Sequence, residues 1–271
     1  MTLDLTAIEA NLPEFEPGTV WLVGAGPGDP GLLTLAGLFA LRAADVIVYD
    51  ALVSVAILDL ANPLAEKQFA GKRGGRPSHV QVDITLSLIE HAKAGKRVLR
   101  LKGGDPYVFG RGAEETLALA DADIRYRIVP GITSGLGGLA SAAIPATTRD
   151  TNHAVILMTG HPAAGEEGVD HVDWAAFVAT GAPLVLYMSM GNLAAISEEL
   201  QKAGMAADMA VAVVTEATTQ RQRVLVSDLA HVVADVAAAG MKAPAIIAIG
   251  SIVKVREALA AHAIGPLGSA P

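Results

Sequence analysis

The sequence predicts an α/β chain of two docked domains, each built on a mostly parallel sheet covered by helices, with a ligand cleft built around two glycine-rich loops. Short runs rich in Val, Ile and Leu alternate along the chain with helical patterns, the order expected when crossover helices join parallel strands. The 271 residues suffice for about two domains of roughly 100–200 residues each. Two glycine-rich loops, Gly24–Gly31 and Gly103–Asp105, directly follow strand-like runs, where open α/β sheets receive their ligands.

In the first half, residues 19–23, 46–49, 97–101 and 125–129 read as buried parallel strands, because their apolar runs barely alternate. Residues 32–43 and 81–94 read as helices. The second places Ile84, Leu88, Ile89 and Ala92 on one face and stops at Gly95, followed by Lys96. In the second half, residues 153–158, 183–188, 210–214, 223–226 and 245–249 read as strands, and 192–203 and 228–239 as helices, Gly240 ending the latter. No long Gly/Ser linker marks the junction, expected between Pro145 and Asn152. Domains over 17–146 and 147–263 are therefore expected to be closely docked. Residues 1–16 and 264–271 read as loose ends.

Composition narrows the function classes. Hydrophobic residues make up 52% and charged residues 18%, so a sizeable core is available. Mean hydropathy is +0.43, yet no run approaches the ~18–20 apolar residues of a membrane span. The most apolar stretch, Ala243–Val253, is interrupted by Pro244, Gly250 and Ser251 and reads as a buried strand. The first basic residue is Arg42, so no secretory signal is expected and a cytoplasmic location fits. The absence of cysteine excludes disulfides, thiolate metal sites and a cysteine nucleophile.

A net charge of −8 argues against nucleic acid as partner. The cations are unevenly placed: ten of the twenty Lys and Arg lie between Lys67 and Arg111, with only three Asp or Glu. The stretch reads either as a solvated basic face or as a pocket for a polyanionic small molecule.

The loop Gly24–Gly31 has the strand–turn–helix context of a dinucleotide-binding turn, and Asp50 closes the next strand, where a ribose-binding carboxylate could sit. The spacing fails: the third glycine of the fingerprint would fall at 29, which is Asp. Pro27 and Pro30 remove backbone donors, and Asp29 would repel phosphate. No Gly-Lys-Ser/Thr sequence supplies a P-loop. In the second loop, Gly103 and Gly104 permit close backbone approach and Asp105 offers an acceptor for a hydroxyl or ammonium.

Taken together, the segments are more specific than either loop. Val23–Pro30 is followed by Val48-Tyr49-Asp50, Gly71-Lys72-Arg73, Arg100–Gly112 and Val129–Ser134, then Thr159-Gly160-His161, Tyr187-Met188 and Pro244-Ala245. In this order and spacing, over roughly residues 18–257, the chain resembles the tetrapyrrole methylase family. The resemblance implies that S-adenosylmethionine donates methyl groups to C2 and C7 of uroporphyrinogen III, giving precorrin-2 and two S-adenosylhomocysteines. It also implies a homodimer with the cofactor folded in the cleft between domains, no metal, and a place in cobalamin or siroheme biosynthesis. No dehydrogenase–chelatase module is expected in this length. A substrate with eight carboxylates fits the basic stretch, and Arg73, Arg76, Arg111 and Arg149 could make bidentate carboxylate contacts.

By the same resemblance, cofactor contacts come from Pro27, Gly103, Gly104, Asp105, Val108, Thr133, Ser134, Met188, Ala217 and Ala245. Asp50 is implied as proton acceptor and Lys72 as proton donor, since methylation must be accompanied by proton loss from the macrocycle. Core packing is the ordinary alternative for Met188, and substrate binding for Asp50 and Lys72. One segment departs from the family pattern Ala-Tyr-Ala-Gly-Ile-Pro-x-Thr-His-Arg: Ser141 replaces the tyrosine, Ala143 the glycine and Thr148 the histidine, while Arg149 remains. This departure motivates a rival reading, a methylase for a later precorrin; a non-catalytic tetrapyrrole- or cofactor-binding protein is a rival of a different class.

Overall fold

The computed structural model describes residues 11–71, 81–160, 169 and 172–265. Internal contacts divide the chain into two units, one ending at Thr133 and the next beginning at Ser134.

The first unit carries a five-stranded sheet of β1 (Val20–Gly24), β2 (Val46–Tyr49), β3 (Glu66–Phe69), β4 (Val98–Lys102) and β5 (Tyr126–Val129), with spatial order β3-β2-β4-β1-β5. Every ladder in it is parallel. Its helices are α1 (Leu35–Ala43), α2 (Val55–Leu58), α3 (Gln81–Lys93) and α4 (Gly112–Asp121). The period-2 alternation of strands sends Trp21, Val23, Ile47, Leu99 and Leu101 to one face, where they pack with Ala40, Leu41 and Ile57. Val20, Leu22, Val46, Val48 and Val98 face the other way, against Ile84, Leu88, Ala92 and Leu119. Burial on both faces explains why these strands read as continuous apolar runs. Each such fully buried aliphatic side chain contributes about 1.5–3 kcal/mol.

Three differences from the sequence reading have local causes. The first helix begins at Leu35 rather than at residue 32, because Thr34 caps it: its Oγ1 accepts from Gly37 N at 3.1 Å. Residues 30–32 form a separate 3₁₀ turn capped by Asp29, whose Oδ1 accepts from Gly31 N. The segment expected to be loose through residue 16 is not loose at its end: Phe15 is buried and stacks on Trp21 with ring centroids 4.6 Å apart. At the expected stop of the second helix, Gly95 has φ +77°, and Lys96 N donates to His91 O while Gly95 N donates to Ala92 O.

The second unit contains α5 (Ser134–Ser141), β6 (Ile156–Thr159), α6 (Trp174–Ala179), β7 (Leu184–Tyr187), α7 (Leu193–Lys202), β8 (Ala210–Thr215), β9 (Arg223–Asp228), α8 (Val232–Ala238), β10 (Ala245–Ile249) and α9 (Ile252–Leu259). Its sheet runs β6-β7-β10-β8-β9. Five of the eight strand pairings among the described residues are parallel, but the three antiparallel ones all lie here, with only β6–β7 parallel. The connection 216–222 between β8 and β9 is too short for a crossover, so the two form a hairpin. The core gathers Leu184, Leu186, Val211, Val213, Ile247 and Ile249 against Trp174, Ile196, Leu200 and Val232.

Candidate active site

β1 lies between β4 and β5, and the carboxyl ends of β1, β2, β4 and β5 leave the first sheet on one edge. There the two glycine loops are bonded to each other. Ala25 N donates to Lys102 O at 2.8 Å, Gly26 N to Gly104 O at 3.1 Å, and Gly104 N to Gly26 O at 2.8 Å. The backbones approach so closely that side chains are excluded. A Cβ on Gly24 would lie 2.5 Å from Gly131 Cα, one on Gly131 2.2 Å from Gly104 O, and one on Gly103 2.6 Å from Leu52 Cβ. Gly26 and Gly104 have φ of +75° and +69°, which glycine adopts without strain.

Two carboxylates tie this edge together. Asp50, just past β2, accepts from Leu52 N at 2.9 Å and from Gly103 N at 3.2 Å. Asp105 accepts from Tyr107 N at 2.8 Å and from Gly131 N at 3.0 Å. Ser54 Oγ donates to Gly28 O at 3.0 Å, joining the β2 loop to the segment carrying Pro27. Thus Asp50, Gly103, Gly104 and Asp105 are brought into direct contact, with Pro27 and the buried Thr133 on the adjoining loops and Val108 N donating to Asp105 O. The bonds of Asp50 and Asp105 are a feature the sequence reading missed: both residues organise backbone as well as offering charge.

The basic stretch divides on folding. Arg100 and Lys102, two apart on β4, point beneath the sheet, where both meet Glu115 of α4. Arg100 and Lys102 are each 3% exposed and Glu115 is fully buried. Lys102 Nζ lies 3.1 Å from both Glu115 oxygens, Arg100 Nε 3.1 Å from Oε1, and an Arg100 guanidinium N–H reaches Val48 O and Leu101 O. Burial, followed by Arg100, pushes the Lys102 ammonium below its ordinary range, while Glu115 and Asp50 act in the opposite sense. The signal in the sequence was present but read otherwise: cations at i and i+2 on a strand buried on both faces need an internal carboxylate.

Lys72, Arg73 and Arg76 lie outside the described residues. Arg111 is exposed at the start of α4, with φ +57° and an ion pair to Glu114, and Arg149 is exposed in the second unit.

In the second unit, Ser134, Met188, Ala217 and Ala245 gather at one end of its sheet. Ile246 pairs with Tyr187 and Ala245 with Thr215. Gly135 N donates to the Tyr187 hydroxyl at 3.0 Å, and a Cβ on Gly138 would sit 3.1 Å from Ala217 Cβ, so α5 is laid on these strand ends. Met188 is 55% exposed and has φ +54°. An exposed methionine held in the left-handed region is not core packing; such strain collects at functional sites. The departing segment satisfies its own polar groups. Ser141 Oγ bonds Gly138 O and Gln222 Oε1, and Thr148 Oγ1 lies 2.5 Å from Thr151 Oγ1. Ala143 keeps φ +55° although the family pattern has glycine there.

A cavity of about 380 Å³ opens at the other end of β8, lined by Asp208, Asp228, His231, Asp235, Lys254 and Glu257. It contains none of the candidate residues, and its acid-rich lining suits no polycarboxylate. Among the described residues no group of three or more His, Asp or Glu could hold a metal ion, and no helix is long and apolar enough to cross a membrane.

Residues 19–233 match the family described as Tetrapyrrole (Corrin/Porphyrin) Methylases. The chain is 55% identical over 251 residues to a uroporphyrinogen-III C-methyltransferase of Sinorhizobium sp, covering 92% of this chain and 89% of that one. It is 45% identical to a siroheme synthase of Acinetobacter baylyi over 89% of this chain, spanning about half (52%) of that relative's length. Among solved structures, it is similar to a uroporphyrin-III C-methyl transferase from Thermus thermophilus complexed with S-adenosyl homocysteine, with TM-score 0.74, 36% identity, and coverage of 88% of this chain and 99% of that one.

Proposed function

The chain belongs to the tetrapyrrole (corrin/porphyrin) methylase family, and on that premise we propose that it is an S-adenosylmethionine-dependent uroporphyrinogen-III C-methyltransferase that methylates C2 and C7 to give precorrin-2. The observation that carries this reading is the 55% identity to an enzyme of that name over nearly the whole length of both chains. The chemistry of the loop edge supports it. Asp50 and Asp105 place two carboxylates beside Gly103 and Gly104, while the cations of β4 turn beneath the sheet. That donor set fits a sulfonium and an ammonium, and does not fit a pyrophosphate.

S-adenosylmethionine supplies an activated methyl group: the carbon–sulfur bond breaks and a bond to a pyrrole carbon forms. The protein's own residues bind, orient and exclude water. Gly103–Asp105, Pro27, Val108 and Thr133, together with Ser134, Met188, Ala217 and Ala245, hold the donor. Asp50 accepts the proton that the macrocycle loses, and Lys72 serves as proton donor. Arg73, Arg76, Arg111 and Arg149 bind substrate carboxylates. The working unit is taken as a cytoplasmic homodimer, and the product is placed on the route to siroheme or cobalamin; a resemblance to half of a siroheme synthase supports the former.

The test is methyl transfer from labelled donor to uroporphyrinogen III, with the product identified by mass. Two methyl groups per macrocycle are expected; none would overturn the reading. Ser141, Ala143 and Thr148 favour one second reading, a later precorrin as acceptor, which the same assay with that acceptor decides. Binding of S-adenosylhomocysteine without turnover of either acceptor would identify a non-catalytic binding protein.

A further inference from the structure

The mechanism leaves three buried charges without a role. Arg100, Lys102 and Glu115 are each at least nine-tenths buried, and two cations share one carboxylate. Lys102 is the last residue of β4 and Gly103 follows it, whereas Glu115 sits in the first turn of α4. The segment between them is Gly103–Glu114, which carries Gly103, Gly104, Asp105 and Val108. Lys102–Glu115 therefore joins the two ends of that segment at its base. Arg100 adds the end of β2, through Val48 O, two residues before Asp50.

Stability alone does not account for this choice of residues. Replacing buried ion pairs by apolar side chains of similar volume is often neutral or stabilising. Here burial is the first cause of the lowered Lys102 titration, so the fold works against the charge it keeps. What charges add is direction. Apolar contacts are non-directional, whereas one carboxylate bonded to both cations fixes where β4 ends relative to the start of α4. The two glycines that open the loop carry no side chain to fix the direction in which it leaves β4. Its other ties run mainly to neighbouring loops: Gly104 exchanges two backbone bonds with Gly26, Gly103 N donates to Asp50, and Asp105 accepts from Gly131 N, while nearer the base Gly112 N donates to Pro106 O at 3.0 Å and the Tyr107 hydroxyl lies 3.1 Å from Thr116 Oγ1.

We propose that the Arg100–Glu115–Lys102 cluster is a positioning device that sets the place of the Gly103–Asp105 loop and of Asp50 for methyl transfer. This rests on the reading of that loop as a donor-binding loop. The residues act through the loop and touch neither reactant.

The test uses the full-length chain with two changes: Lys102→Met, which leaves a neutral Arg100–Glu115 pair, and the all-apolar Arg100→Met/Lys102→Met/Glu115→Leu. Both are expected to remain folded, with melting temperatures at or above that of the parent protein. Amide exchange over residues 103–111 is expected to accelerate at least tenfold, with exchange in β1 unchanged. The dissociation constant for S-adenosylhomocysteine, by calorimetry, is expected to rise at least tenfold. Either variant folded, with loop exchange and affinity within twofold of the parent, overturns the proposal. If both fail to fold, the cluster is a stability element and the proposal also falls. If the parent protein itself does not bind S-adenosylhomocysteine, the functional reading fails, and the exchange measurement alone decides whether the cluster positions the loop.

Discussion

Gly131→Ala probes the loop junction at the point where it is tightest. The added Cβ would stand 2.2 Å from Gly104 O and 2.7 Å from Gly24 Cα, both backbone atoms that no rotamer change can move aside. The obstacle is space alone, since Gly131 has no positive φ. An unstrained carbon contact needs ~3.5 Å, so the β4 loop must retreat by about 1 Å from the loops after β1 and β5. Overpacking of this kind costs about 1–3 kcal/mol. The bond from Gly131 N to Asp105 Oδ2 is stretched or lost, adding about 1 kcal/mol. The sum of ~2–4 kcal/mol corresponds to a fall in melting temperature of roughly 4–16 °C at ~2–4 °C per kcal/mol. A displacement of about 1 Å in a donor-binding loop is enough for a loss of turnover on the order of a hundredfold. Thermal unfolding, calorimetry with S-adenosylhomocysteine and the methyl-transfer assay read the three quantities. Gly191→Ala, where an added Cβ meets nothing within 4 Å, serves as the control and should stay within about 0.5 kcal/mol of the parent. An unchanged melting temperature together with unchanged affinity in Gly131→Ala would refute the close convergence of the loops.

Asp105→Ala should weaken S-adenosylhomocysteine binding by about tenfold or more and lower stability by roughly 1–3 kcal/mol, because Gly131 N loses its acceptor; undiminished affinity in calorimetry would remove the loop from the donor site. Tyr187→Phe deprives the buried Gly135 N–H of its partner and should cost about 1–3 kcal/mol in denaturant unfolding, whereas a neutral result would mean that α5 is seated by packing alone. Ala143→Gly should raise stability by roughly 0.5–1 kcal/mol by relieving the left-handed alanine; a loss on substitution would show that the position is not strained. For pH, Lys102 has its folded titration below the ordinary lysine value, so the unfolded chain binds more protons over the interval between the two. Stability then rises with pH from the lowered value up to about 10.4, and the penalty is fully present below that interval. Relative to the parent, Lys102→Met should therefore lose ground as pH rises toward the ordinary lysine range in urea titrations, and a pH-independent difference would contradict the assignment.

The legible elements were those whose environment is uniform along the strand. β1, β2 and β4 are covered on both faces, so their apolar runs announced a parallel sheet. The helix stop at Gly95 was readable because a left-handed residue favours glycine. β3 was not readable: Glu66–Phe69 is a half-exposed edge strand with a polar sequence, held by its pairing to β2 and by bonds of Gln68 to Ser87 and His91 of α3. Nor was α5, whose sequence Ser-Gly-Leu-Gly-Gly-Leu-Ala-Ser has poor intrinsic helix propensity; Gly135 and Gly138 are explained by the Tyr187 hydroxyl and Ala217 on which it rests. The antiparallel pairings of the second sheet were missed because an apolar run does not disclose the direction of its partner.

Motif order along the chain was enough to identify the family, because glycines and carboxylates at fixed spacing reflect steric and charge requirements that are local. The sequence by itself therefore determined the two glycine loops, their place after strands and the candidate residues on them. Only the tertiary structure decided what those residues touch. It turned Arg100 and Lys102 away from solvent toward Glu115, gave Asp50 and Asp105 backbone amides to hold, and left Met188 exposed at a strand end. The reason is that charge and composition are properties of one position, whereas burial and hydrogen bonding depend on which distant segments the sheet order brings beside it.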